Sequence, residues 1–476
     1  SGTAAAPVVW RGMDGAMLSA GRKIANWTHV HWPGAPAQTV LRADVRGWPK
    51  EIKSLRRVVS ADLALSKPDD QWIPRTRWPK QQPGNYSSGW LSSQNWSTHE
   101  SVGLDPTVVP PHIYADGSNV YVNVFGLDGE KDVINDISQV VRVNTSVKAQ
   151  PSLGVQLPEG TEKGQRFFLE NVRSALSAGS FYLDHNTSSL YVWPLPEWGD
   201  EFEAVAPVDF SVLKMNQSHH VVVANLTFRD SGYNTAGCWC GPAGMPSDSA
   251  IAIWNSSHVT IEASTFLPGV TGYAVAATGG GKHLHIVGNR VSAVGQGGFL
   301  LYSKQLPLAC NHSVIEHNLV ERGGKILKHV SGVGLRAASW SVVRHNRIVD
   351  MPRYAMDADT IIPNEIAIGN TFEHNIMDGS SLETSDTGAM EFTGQGAMFK
   401  LGWDMNTTIR YNNISRVMGA DAVDGVHVCV RGDNNGAGPP GAGCRNRESR
   451  TVALVLWVSL TRWHLGSHVG DLFGRR

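Results

Sequence analysis

The chain has 476 residues, 41 basic and 42 acidic, for a net charge of −1, with 17% charged residues and 50 glycines. So balanced a charge gives no field to draw in nucleic acid or an anionic membrane surface. No apolar run reaches the roughly 18 residues of a membrane-spanning helix. An apolar content of 41% can fill a large core, while sparse charge and abundant glycine favour strands and turns over long solvated helices.

The chain opens Ser1-Gly2-Thr3-Ala4-Ala5-Ala6-Pro7, without an initiator Met, a basic n-region or an apolar h-region. It therefore reads as a processed or truncated chain. Ala6–Gly12 and Ala16–Ser19 read as two short strands, a first coil within residues 1–30. Residues 31–205 are rich in Pro, Trp and short alternating runs such as Val120-Tyr121-Val122-Asn123-Val124, which predict an inserted β-rich domain. One hairpin is explicit: Phe181–Asp184, a polar loop from His185 to Ser189, then Leu190–Pro194.

From residue 206 to about 430 one pattern recurs: aliphatic, two variable residues, Asn or Ser, one variable residue, apolar. It reads Ile261–Phe266, Ile286–Val291, Ile315–Val320, Val343–Ile348, Ala367–Phe372 and Ile409–Ile414, with a weaker copy at Val223–Phe228. The Asn or Ser slots fall at 264, 289, 318, 346, 370 and 412, in steps of 25, 29, 28, 24 and 42. Short strands joined by bends at this period predict a right-handed parallel β-helix, all-β, with aliphatic residues stacked inside. Asn suits the bends because it tolerates the left-handed region and bonds the next coil's backbone. His317, His345 and His374 look like a stripe, although only the first two share the repeat's register. Residues 431–476 carry no coil pattern and are expected to form an irregular tail.

Five cysteines are too few for a disulfide scaffold, and Cys238-Trp239-Cys240 is too tight for a zinc knuckle. No metal or other cofactor is expected. Asn-X-Ser/Thr sequons are dense, at Asn26, Asn85, Asn95, Asn144, Asn186, Asn216, Asn225, Asn255, Asn311, Asn406 and Asn413. That density points to a secreted, extracellular glycoprotein, expected to be a monomer.

Several marks resemble the right-handed β-helix glycoside hydrolases that act on plant and algal cell-wall sugars, including xylosidase-like and fucosidase-like members. They are Arg75-Thr76-Arg77-Trp78-Pro79, Glu170-Asn171-Val172 leading into the hairpin, and Ser385-Asp386-Thr387-Gly388-Ala389-Met390, which matches that family's Asp-Gly-Gly-Ala segment. The resemblance implies a polysaccharide or oligosaccharide substrate and two carboxyl groups flanking the scissile bond. It implicates Asp386 first. Its second Asp would close a Gly-Ile-Tyr-Leu-Asp-like strand, where this chain has Gly425-Val426-His427-Val428-Cys429. From there the text resembles a read-through or frame-shifted end.

Other carboxylates are candidates to complete the pair. Asp357 and Asp359 lie one coil earlier, and Glu383 and Glu391 flank Asp386. Trp239, Asp248, Tyr354 and His374 are candidates to bind substrate, and Asp230 lies in the same long loop as Asp248. Two other readings stay open. A polysaccharide lyase or uronate epimerase would need a base and a cation or Arg against the uronate. A non-catalytic carbohydrate-binding or surface protein would need neither. The near-neutral charge leans toward an uncharged glycan.

Overall fold

The computed structural model describes the chain apart from residues 14, 50–51, 53, 60, 83, 87, 93–100, 104–119, 126–131, 138, 144–145, 149–165, 200–201, 233–248, 304–307, 359–365, 385–386, 394–405, 419–427, 434–457 and 460–476. The repeat folds as a parallel β-helix of three long sheets. The first sheet runs through Val8–Arg11, His219–Ala224, Ser256–Glu262, His285–Val287, Val314–Glu316, Val342–Arg344, Thr371–Glu373 and Thr408–Arg410. The second contains Met17–Ser19, Thr227–Arg229, Thr265–Phe266, Arg290–Ser292, Leu319–Glu321, Arg347–Val349, Ile376–Ser380 and Asn413–Val417. The third begins at Leu213–Asn216 and passes through Ser249–Trp254, Tyr273–Thr278, Phe299–Tyr302, Ser331–Arg336, Tyr354–Asp357 and Gly388–Thr393 to Val428–Asp433.

Register explains the apolar repeat. Val223, Ile261, Ile286, Ile315, Val343, Phe372 and Ile409 are successive partners in the first sheet and are all buried. Phe228 and Phe266 stack at 5.0 Å in the second. Each such residue is shielded by its copies above and below, so a coil that could not bury a core alone gains one from its neighbours. Full burial of each side chain stabilises by about 1.5–3 kcal/mol.

The bends differ from expectation in two ways. The left-handed residue is not the Asn but the one before it: Ala263, Gly288, His317, His345, His374 and Tyr411 all have φ between 47 and 65°. The Asn side chains instead form a buried ladder. Ser264 N–H donates to Asn289 Oδ1, and the chain continues through Asn318, Asn346, Asn375 and Asn412 at 2.8–3.1 Å. The fifth slot is therefore Asn375, not Asn370, since Val343 pairs with Phe372. The last two steps become 29 and 37 residues. Asn370 belongs to a parallel ladder at the preceding bend, where Leu284, Ser313 and Ser341 donate in turn to Ser313, Ser341 and Asn370.

Between the first coil and the rest of the helix lies an antiparallel β-rich region. Gly21–Ile24 and Leu55–Arg57 flank Ala204–Pro207. The expected hairpin forms from Ser180–Asp184 and Ser189–Trp193. Arg166–Glu170 pairs with Val120–Phe125, Leu91–Ser92 and Arg77–Trp78. The region is tied to the helix by buried polar contacts. Asp230, expected in the same long loop as Asp248, is fully buried, held by Arg56 through two bonds of 2.7 and 2.9 Å and by the Ser19 hydroxyl at 2.7 Å. The Trp72 indole N–H donates to Ala293 O at 2.5 Å. Asp69 meets Arg322 and Lys325, each at 2.6 Å. Among the described residues no helix is long and apolar enough to cross a membrane.

Candidate functional site

In the third sheet Phe299, Val333, Met356 and Met390 are register partners and face the core. Side chains alternate along a strand, so the next row, Gly334, Asp357 and Glu391, lies on the outer face. Two acidic residues 34 apart in sequence are thereby set on adjacent strands, whose backbones lie about 4.8 Å apart along the hydrogen-bonding direction. Both are buried.

Their surroundings differ. Arg336 Nε donates to Asp357 Oδ2 at 2.6 Å, and both side chains are shielded from solvent. Asp357 Oδ1 accepts no hydrogen bond among the described residues. A Cβ on Gly334 would stand 2.8 Å from that oxygen, so glycine is what leaves it room. Tyr354 donates its hydroxyl to Glu391 Oε1 at 3.2 Å and lies 3.4 Å from His329 Nε2. The buried Arg353 guanidinium lies 4.7 Å from the Tyr354 ring. The Tyr273 hydroxyl, between Ser331, Arg336 and Asp357, is pushed up to about 12, chiefly by burial. This row is a desolvated polar patch on an otherwise apolar frame, where each charge needs a partner.

Glu383 sits apart from that row, on the turn joining the second and third sheets. Lys328 Nζ holds it at 2.8 Å, and Arg166 of the inserted region donates to its backbone carbonyl at 2.8 Å. It lines a pocket of about 430 Å³ between the inserted region and the turns of the helix. Asp386, Asp359, Trp239 and Asp248 lie outside the described residues.

His374 is not brought to these groups. It stands at the exposed bend between the first and second sheets, stacked at 5.1 Å on His345, at 4.9 Å on Tyr411, and with His345 in turn 4.9 Å from His317. All three histidines thus share one register. Their rings lie within 5–12° of parallel, a face-to-face stack whose nitrogen lone pairs do not converge on one point. A second stack, His220, His258, His283, His312 and Trp340, occupies the neighbouring bend. Among the described residues no group of three or more His, Cys, Asp or Glu could hold a metal ion. Of the nine sequon asparagines described, Asn311 is buried and donates to Leu308 O.

Arg336 and Lys328 were invisible to motif reasoning. Arg336 had one signal: a lone cation ending Ser331-Gly332-Val333-Gly334-Leu335, a strand otherwise free of charge.

Comparison with known proteins supports the architecture. Residues 249–435 match the family model described as a right handed beta helix region. A solved structure described as a glycoside hydrolase superposes with a TM-score of 0.61 at 13% identity, over 87% of this chain and 76% of its own. A complex of XylC with xylose (10% identity, 86% of this chain and 66% of its own) reaches a TM-score of 0.32. The catalytic domain of an alpha-1,3-glucanase with tetrasaccharides (10% identity, 78% and 84%) reaches 0.21. Of these three, only the first is close enough to bear on the fold, and at that identity it bears on nothing else. No curated protein matches.

Proposed function

We propose that the chain is a secreted carbohydrate-active protein of the glycoside-hydrolase kind, cleaving a glycosidic bond of a cell-wall or extracellular polysaccharide between Asp357 and Glu391. The observation that carries this is their register pairing on one face of the third sheet. Cleavage with retention needs two carboxyl groups about 5–5.5 Å apart, and register partners on strands whose backbones are about 4.8 Å apart can bring two carboxyl groups to that spacing. One group must be negative and the other must give a proton. Arg336 balances the charge of Asp357, whose unbonded Oδ1 is the oxygen to meet the anomeric carbon once substrate entry uncovers a side chain that is shielded from solvent in the free chain. Proton donation to the leaving oxygen, and later activation of water, then falls to Glu391, oriented by the Tyr354 hydroxyl. The fold shared with a structure described as a glycoside hydrolase is consistent with this reading and does not by itself assign it.

The test is a panel of aryl glycosides, pentosides and deoxyhexosides included, with wild type, Glu391→Gln and Tyr354→Phe. Release of the aryl alcohol should fall at least a thousandfold in Glu391→Gln and only about tenfold in Tyr354→Phe, with unchanged circular dichroism. Undiminished turnover in folded Glu391→Gln overturns the pair. Unsaturated, ultraviolet-absorbing products from a polyuronate would replace hydrolysis with elimination.

A further inference from the structure

The pocket beside Glu383 differs in character from the chain as a whole. Six cationic side chains line it against three acidic ones, in a protein whose net charge is −1. Most of the acids already have partners: Lys328 holds Glu383, and Arg416 holds Asp350 at 2.8 Å. Arg322 and Lys325 share Asp69 at the rim.

Arg77 is the decisive residue. Its guanidinium lies 3.7 Å from the Phe168 ring centre and 4.8 Å from that of Trp90. It donates to the Gly89 carbonyl at 2.7 Å and weakly to Gln81. Its buried Nε finds no hydrogen-bond acceptor among the described residues. No described carboxylate lies in ion-pair contact with it, and Arg166 stands nearby as a second cation. Burial draws its pKa down to about 10, with Glu383 and Glu170 only partly opposing. A desolvated cation under such conditions gains most from an anion delivered by a ligand. Lys80 extends into the same space from an exposed position, and among the described residues its hydrogen bond is to the Ser177 hydroxyl at 3.4 Å. Trp72, Tyr86 and Phe168 supply aromatic surface, the usual floor for the apolar face of a sugar ring.

We infer that this pocket binds an anionic sugar unit, one bearing a carboxylate or a sulfate ester, with Arg77 and Lys80 meeting the charge and the aromatic floor meeting the ring. This rests on the proposed function only in taking the ligand to be a sugar.

Binding to the full chain is measured by calorimetry with a trigalacturonate, a sulfated galactan trisaccharide, galactotriose and sodium sulfate. The two anionic trisaccharides should bind at least tenfold more tightly than galactotriose, with affinity falling as salt rises. Whichever of the two binds more tightly identifies the anion. Lys80→Glu, at an exposed site where folding is not at stake, should weaken that binding about tenfold and leave galactotriose unchanged. Equal affinity for neutral and anionic trisaccharides, or indifference to Lys80→Glu, overturns the inference. Sodium sulfate binding as tightly as the trisaccharides would remove the sugar from it. Anionic binding without hydrolysis of any glycoside would sink the proposed catalytic pair and leave this site standing.

Discussion

Asn346→Ala tests whether the side-chain ladder, rather than a tolerant bend, holds the coils in register. Asn346 is buried and makes five side-chain hydrogen bonds. Its Oδ1 accepts from the Asn318 backbone N–H at 3.1 Å and from Asn318 Nδ2 at 2.9 Å. Its Nδ2 donates to the Ile315 and Arg344 carbonyls and to Asn375 Oδ1. Truncation strands the Asn318 N–H outright. Asn318 Nδ2 keeps its bond to Ile286 O, and Asn375 Oδ1 keeps the one from the Asn346 backbone. One stranded group at about 1–3 kcal/mol, plus two impaired amides, gives a loss of about 3–4 kcal/mol. Against a typical stability of about 5–15 kcal/mol that is large. Asn346→Ser should lose about half as much. Ser264 fills the same slot one end up, where its hydroxyl still accepts from the Leu226 N–H at 3.3 Å while donating to Glu262 O. The readout is urea unfolding followed by circular dichroism, with hydrogen exchange of the flanking coils to catch partial opening. A loss below 1 kcal/mol for Ala, or Ser no better than Ala, would refute the reasoning.

Three more perturbations follow from packing and charge. Arg336→Leu leaves the Asp357 carboxylate buried without its guanidinium and should cost about 3–5 kcal/mol, most of it recovered when Asp357→Leu is added; a double-mutant cycle in urea checks this. Gly297→Ala would drive a methyl into the Ser331 carbonyl and the Tyr273 ring, lowering stability by about 1–3 kcal/mol, measured by the thermal midpoint. His283 in the second stack is held below the usual imidazole range, by burial first and then by His258, His312 and Lys282. The unfolded chain then takes up its proton more readily than the folded one. Stability is therefore full above the unfolded value near ~6.5 and declines as pH falls through it, levelling off below the folded value. The thermal midpoint should drop between pH 7.5 and 5, and by less in His283→Gln; an equal drop in both would refute it.

What the sequence yields here follows from where the information is stored. The aliphatic columns are legible because each coil repeats the same inward residue, so a short local pattern suffices. The ladder was misplaced at one coil for a physical reason. Each coil has two similar bends, both made of a left-handed residue followed by a side chain that caps the coil before it. Asn370 at one bend fits the six-residue template in full, whereas Asn375 at the other has the aromatic Phe372 in its aliphatic slot. Only the register of Phe372 against Val343, a property of the neighbouring coil, assigns the slot to Asn375.

The same limit governs the site, and more severely. Asp357 and Glu391 were visible as acids, but their pairing depends on the length of chain between two strands, which no template fixes. Glu383 is held partly by Arg166, 217 residues away in the inserted region, and Arg77 enters from that region too. Composition hides local charge in a related way. A net charge averages over the whole surface, whereas affinity for an anion is set by the few cations that burial has stripped of water and left short of countercharge. In this chain the neutral average and the cationic pocket coexist because, among the described residues, several cations of the helix are paired across coils, as Arg344 with Glu316 and Arg410 with Glu373, while Arg77 faces aromatic rings instead.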